Sequence, residues 1–183
     1  MSTDQRDDDD DFPALWKRHY GDSPPFGHEL RKGHHWIRFH ALPAAKRYAT
    51  TPDERVEILR RAHSIADALF VPHEDIWRVH CVHVDAQSDA PDTRYASTLP
   101  IIGEVIEPRS EERFRVHALR ERWEPSKHDA LLQDIADDVV AYVLFFGTTR
   151  HTILAPYDGG FDVMFASTNA YEALRGFEPR WSR

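Results

Sequence analysis

Apolar and polar residues alternate in distinct periods along the chain, and the period changes mark the elements. Asp11 before Phe12-Pro13 predicts a capped short helix with Pro early in its first turn, running to about Tyr20 and ended by the Gly21-Asp22-Ser23-Pro24-Pro25 stretch. From His34 to His40 the period drops to two: Trp36, Arg38 and His40 share one face of a strand, Ile37 and Phe39 the other, and Leu42-Pro43 stops it. Thr51-Pro52-Asp53-Glu54 carries the strongest helix start, a capping hydroxyl followed by Pro and two acids on the positive end of the dipole. Val56, Leu59, Ala62, Ala66, Leu69 and Phe70 are the expected buried face, with Arg55, Glu57, Arg60, Arg61 and Asp67 on the rest, and Pro72 closes the helix.

Ile76–Val84 is rich in β-branched residues and predicts a second strand, followed by a polar loop over 85–92. Residues 95–106 are ambiguous, because Pro100 and Gly103 argue against a long helix. Phe114, Val116 and Ala118 alternate with Arg113, Arg115 and His117, the signature of a half-buried strand. Ser126–Ala136 is expected to be helical, with Ser126 and Asp129 spaced as a cap. Val139–Phe146, His151–Ala155 and Phe161–Ala166, separated by Gly147–Arg150 and by Asp158-Gly159-Gly160, predict a three-stranded meander, with a short helix near 168–175. Adjacent strands without regular βαβ alternation predict a single α+β domain, 12–183. It has a mainly antiparallel sheet with about four helices packed on it.

Charge changes this picture at one end. The 183 residues carry a net charge of −8, but residues 1–11 hold six aspartates against Arg6, so the tail accounts for −5 and the body for only −3. The tail is expected to be disordered and solvated. No run approaches the ~18 apolar residues of a membrane span, and the acidic start is unlike a signal peptide, so no membrane association and a cytoplasmic location are expected. With tail and body both net negative, nucleic acid is a disfavoured partner.

Two polar blocks stand out. One is Trp36-Ile37-Arg38-Phe39-His40-Ala41-Leu42-Pro43-Ala44-Ala45-Lys46-Arg47-Tyr48. The other is Ala155-Pro156-Tyr157-Asp158-Gly159-Gly160-Phe161-Asp162-Val163, followed by Arg180-Trp181-Ser182. Together they resemble an uncharacterised bacterial family of the domain-of-unknown-function kind, with Trp-x-Arg-x-His-x-Leu-Pro-x-x-Lys-Arg-Tyr and Tyr-Asp-Gly-Gly-x-Asp blocks. The resemblance implies a compact intracellular α+β domain and implies no chemistry.

The chemistry must therefore come from the residues. Arg31, Lys32, Arg38, Lys46 and Arg47 lie between residues 31 and 47 with no acid among them. This is a candidate anion pocket with Arg38, Lys46, Arg47 and Tyr48 as ligand-binding residues. The bland alternative pairs Arg38 and Lys46 with acids such as Asp158 or Asp162. Gly159-Gly160 is read as supplying positive φ to a tight hairpin. No metal site is expected, since the histidines show no ligand spacing, and no cofactor loop is present. Cys81 reads as a buried, inert thiol.

Two readings follow. The first is a bacterial cytosolic binding domain for a protein partner or a small anionic ligand, with an immunity-type partner as its more specific form. The alternative is a small enzyme acting on a phosphate-bearing substrate. In it Arg38, Lys46 and Arg47 hold the anion, His40 is the acid/base, and Asp158 or Asp162 orients it.

Overall fold

The computed structural model describes residues 11–168, 171 and 172. Seven strands form one sheet: β1 (His35–His40), β2 (Asp75–His83), β3 (Ile101–Ile106), β4 (Arg113–Arg122), β5 (Val143–Gly147), β6 (Thr152–Tyr157) and β7 (Gly160–Phe165). Their spatial order is β1-β7-β6-β5-β2-β4-β3, and every pair is antiparallel. The expected C-terminal meander is β5-β6-β7. Five helices are described: α1 (Phe12–Tyr20), α2 (Gly27–Leu30), α3 (Pro52–Leu69), α4 (Pro91–Ala96) and α5 (Asp129–Ala136). Among the described residues no helix is long and apolar enough to cross a membrane.

The sheet is packed on both faces, which explains why its central strands read as apolar runs. Val143 and Phe145 of β5 join Leu154, Phe161, Val163 and Phe165 in a core with α3 and α5. Their neighbours Leu144 and Phe146 join Val79, Cys81, Ile153 and Met164 in a second core with α1 and α2. A strand buried on both faces has no polar face to alternate with. β4 carries the opposite signal: Phe114, Val116 and Ala118 are buried and the intervening Arg113 and Arg115 are exposed.

Several boundaries and faces differ from the sequence reading. The α3 cap is the expected one, with Thr51 and Glu54 forming a reciprocal capping box. Its buried face, however, runs through Ile58, Ala62, Ile65, Ala66 and Leu69, while Val56 is 66% exposed. Arg61, placed on the solvent side, is buried, bonding Glu57 and the His40 carbonyl. The strand expected from Val139 begins at Val143, because Asp138 and Tyr142 have positive φ and 139–142 is not extended ladder. Ser126 lies in a 3-10 turn over Pro125–His128, and α5 has no side-chain cap. The ambiguous 95–106 stretch resolves into the end of α4 and the edge strand β3. Asp11 precedes α1 without a side-chain cap bond. Residues 1–10 of the acidic tail, most of the predicted helix near 168–175, and Arg180-Trp181-Ser182 lie outside the described residues.

The α3/α5 side also buries two histidines. His80 and His128 are 1% and 3% exposed, and their Nε2 atoms have no hydrogen-bond partner among the described residues. Burial pushes His80 down to about 3, with Arg78 and the neighbouring histidines adding to it. It pushes His128, stacked on Trp123, down to about 4. Both folded values lie below the unfolded value near 6.5, so the unfolded chain takes up protons first as pH falls. Their contribution is whole above pH 6.5 and is lost progressively down to pH 3–4. At pH 5 the expected loss is about 2 kcal/mol per histidine. The carboxylates held at about 2, such as Glu54 and Glu57, cost stability only below their normal value near 4.5, so between pH 7 and pH 5 the histidines act without them. Urea unfolding at pH 7 and pH 5 should show the drop, and His128→Phe should reduce it by about 2 kcal/mol. An identical drop in wild type and variant would rule this origin out.

Candidate functional site

The site is built where β1 lies against β7. The antiparallel register sets Arg38 opposite Asp162, both on the face covered by α1 and α2. α2 precedes β1 and brings Arg31 to the same carboxylate. Arg38 Nε donates to Asp162 Oδ1 at 2.9 Å and its Nη2 to Oδ2 at 3.3 Å. Arg31 Nε donates to Oδ2 at 2.6 Å, and its Nη2 also pairs with that oxygen. Asp162 is 1% exposed, whereas the arginine side chains are 30% and 35% exposed. One buried charge thus holds two half-open cations, a net charge of +1.

Two aromatic rings flank the pair. The Arg38 guanidinium carbon lies 5.3 Å from the Trp36 ring centre and 5.1 Å from that of Tyr157. The corresponding Arg31 distances are 5.6 and 5.8 Å. These cation–π contacts fix the guanidinium planes without consuming N–H donors. The bonds to Asp162 raise Arg38 above its ordinary value, and burial pushes the Tyr157 hydroxyl up. Among the described residues neither arginine's Nη1 group has a hydrogen-bond partner.

A cavity of about 240 Å³ opens beside this group. His28, Arg31, Asp138, Tyr142, Tyr157, Asp158 and Asp162 are among the residues that line it. That volume suits a small anion or the tip of a side chain more than a nucleotide.

The expected basic pocket is divided by the structure. Lys46 is not on the platform: its Nζ donates to Glu54 at 2.6 and 2.7 Å and to Thr50 at 2.7 Å. Arg47 pairs with Asp158, which also accepts from the Tyr48 hydroxyl at 2.9 Å. His40 sits at the end of β1 opposite Gly160, and its imidazole has no hydrogen-bond or ion-pair partner among the described residues. Asp158, in the β6–β7 turn, and Asp162, in β7, both line the cavity, but each is already engaged by arginine. Gly160 corrects the turn reading. Among described glycines only Gly21 has positive φ, so the hairpin does not need glycine for its φ. Gly160 is needed because a Cβ there would lie 2.1 Å from the Phe39 carbonyl oxygen.

Three groups are not visible in the sequence pattern. Arg31 contributes only charge there, since a four-residue helix gives no periodic signal. Trp36 and Tyr157 carry no ring-partner signature, although Trp36 and Arg38 stand two apart on one strand face, which is a usable cue. Glu29 and Glu107, near His28, meet only through the fold.

A family model described as Domain of unknown function (DUF3885) matches residues 26–176, and the chain belongs to that family. No curated protein and no solved structure gives a significant match. The matched span contains the whole of the Arg31, Trp36, Arg38, Tyr157 and Asp162 group.

Proposed function

For this member of the DUF3885 family, we propose a binding role: a non-catalytic domain that receives a carboxylate or phosphate of its partner on the Arg31–Arg38 platform. The supporting observation is the sharing of the single buried Asp162 carboxylate by two guanidiniums. That sharing leaves one positive charge and, among the described residues, two unbonded Nη1 groups, with Arg31 and Asp162 lining a small cavity. Arginine held by rings and by one carboxylate is pre-organised, so an arriving anion loses little to ordering it. The immunity-type form and the bacterial cytosolic setting belong to the same proposal; they draw only on the acid balance and the sequence resemblance. The enzyme alternative has less support. Lys46 pairs with Glu54 and Arg47 with Asp158, and among the described residues His40 has no carboxylate to orient it.

Titration with inorganic phosphate, followed by amide NMR shifts, tests the reading. Shifts should cluster at residues 31, 36–38 and 157–162, and Arg38→Met should weaken binding at least fivefold. Shifts spread evenly over the protein, or unchanged in Arg38→Met, would remove the platform from consideration.

A further inference from the structure

The loop after β3 and the short helix α2 meet around one imidazole. His28 Nε2 lies 2.8 Å from Glu107 Oε1 and 3.5 Å from Glu29 Oε1, and one ligand atom from each of the three residues lies within 4.8 Å of the others. Glu29 and Glu107 are 7% and 4% exposed. We propose that His28, Glu29 and Glu107 form a binding site for a first-row divalent cation of the zinc and manganese class.

Three observations carry this. First, ligand bonds of about 2.0–2.2 Å place neighbouring donor atoms roughly 3–3.5 Å apart, and the two His28 separations fall at or near that range. Second, Glu107 is oriented as metal-binding carboxylates are. Its Oε2 accepts the backbone N–H groups of Arg109 and Ser110 at 2.9 and 2.7 Å, while Oε1 turns toward His28. Hydrogen bonding of the outer carboxylate oxygen fixes the inner one. Third, two carboxylates more than nine-tenths buried converge on the imidazole with one ligand atom each, and a dication there takes over the charge balance that exposed side-chain cations now supply to Glu29. Imidazole with two carboxylates favours zinc or manganese over calcium, which prefers six to eight oxygen ligands. Waters complete the shell, and His28 also lines the cavity described above.

The Lys32 ammonium currently donates to both Glu29 oxygens, at 2.7 Å to Oε1 and 2.5 Å to Oε2, and Arg109 Nε lies 3.4 Å from Oε1. Both cationic side chains are more than half exposed, so they swing into water at small cost. The ammonium of Lys32 repels an arriving dication, which gives the site a test that a plain ion-pair cluster fails.

Zinc is titrated calorimetrically, and manganese binding is counted from loss of the free-ion EPR signal, in wild type, Glu107→Gln and Lys32→Ala, with circular dichroism to verify folding. Wild type should take one equivalent. Glu107→Gln should weaken binding at least tenfold, and Lys32→Ala should tighten it roughly threefold or more. Wild-type binding no tighter than that of folded Glu107→Gln overturns the site. If Glu107→Gln fails to fold, Lys32→Ala decides: unchanged or weaker binding overturns the proposal. The anion reading is independent of this one, because Arg38→Met should leave the metal titration unchanged.

Discussion

Asp162→Asn is expected to lower the melting temperature by about 10 °C. The carboxylate is 1% exposed and is the common acceptor of Arg31 and Arg38. Removing one partner of a buried charge group costs about 3–5 kcal/mol, since the remaining charges stay desolvated. Both arginines reach water at about a third of their surface, which places the cost near 3 kcal/mol. For a chain of this length each kcal/mol corresponds to roughly 2–4 °C. The amide also turns its NH₂ toward one guanidinium, a donor facing a donor. Thermal unfolding checks this. A shift under about 2 °C, less than 1 kcal/mol on that scale, would mean that the Arg31–Asp162–Arg38 group does not form in solution. Where the variant folds, it has gained a net positive charge on the platform, so phosphate should bind more tightly than to wild type. The two readouts move in opposite directions, and general loosening of the fold would not produce the second.

Gly160→Ala should be of similar size, with a purely steric cause. The new Cβ would stand 2.1 Å from the Phe39 oxygen and 3.1 Å from its carbonyl carbon. Both are backbone atoms of the paired strand, so no rotamer change relieves the overlap. Relief requires the β1–β7 ladder to part, separating Arg38 from Asp162 two residues along. An expected loss of about 3 kcal/mol follows, at the upper end for overpacking. Gly103→Ala is the control: it lies on the exposed edge strand with nothing within 4 Å of its Cβ, and should stay within about 0.5 kcal/mol. Urea unfolding of the three proteins decides it. Equal midpoints for Gly160→Ala and wild type would show that β1 does not approach β7 as closely as described.

These two sites show how far local pattern reached. The β1 alternation, the Thr51 cap, the alternating β4 face and the C-terminal meander were readable, because each signal lies within a few residues of chain. The α3 face is legible in part: Ala62, Ala66, Leu69 and Phe70 are buried as the periodicity predicts, whereas Val56 is exposed and Ile58, Ile65 and Arg61 are buried. On a helix this rich in arginine, the buried stripe is fixed by what lies opposite. Arg61 is drawn inward by the His40 carbonyl and Glu57, partners that helical periodicity does not reveal. The anion pocket was legible as an excess of positive charge between residues 31 and 47. Its division into Arg31–Asp162–Arg38, Arg47–Asp158 and Lys46–Glu54 was not, since the first two pairings join residues more than a hundred positions apart.

The sequence by itself determined the class of fold, the order of most elements, the family blocks and the places where polar residues concentrate. These follow from local stereochemistry: strand and helix periods, capping, and turn residues. Tertiary structure alone decided which charges remain available. Asp162 neutralises one arginine's worth of charge on the platform, and Glu54 and Asp158 silence Lys46 and Arg47. Likewise His28 and Glu107, 79 residues apart, become neighbours only when α2 packs beside the loop leaving β3. Charge counts add along a chain, but electrostatic availability depends on distance and burial, which the pairing of β1 with β7 sets for Arg38 and the packing of α2 sets for Arg31 and His28.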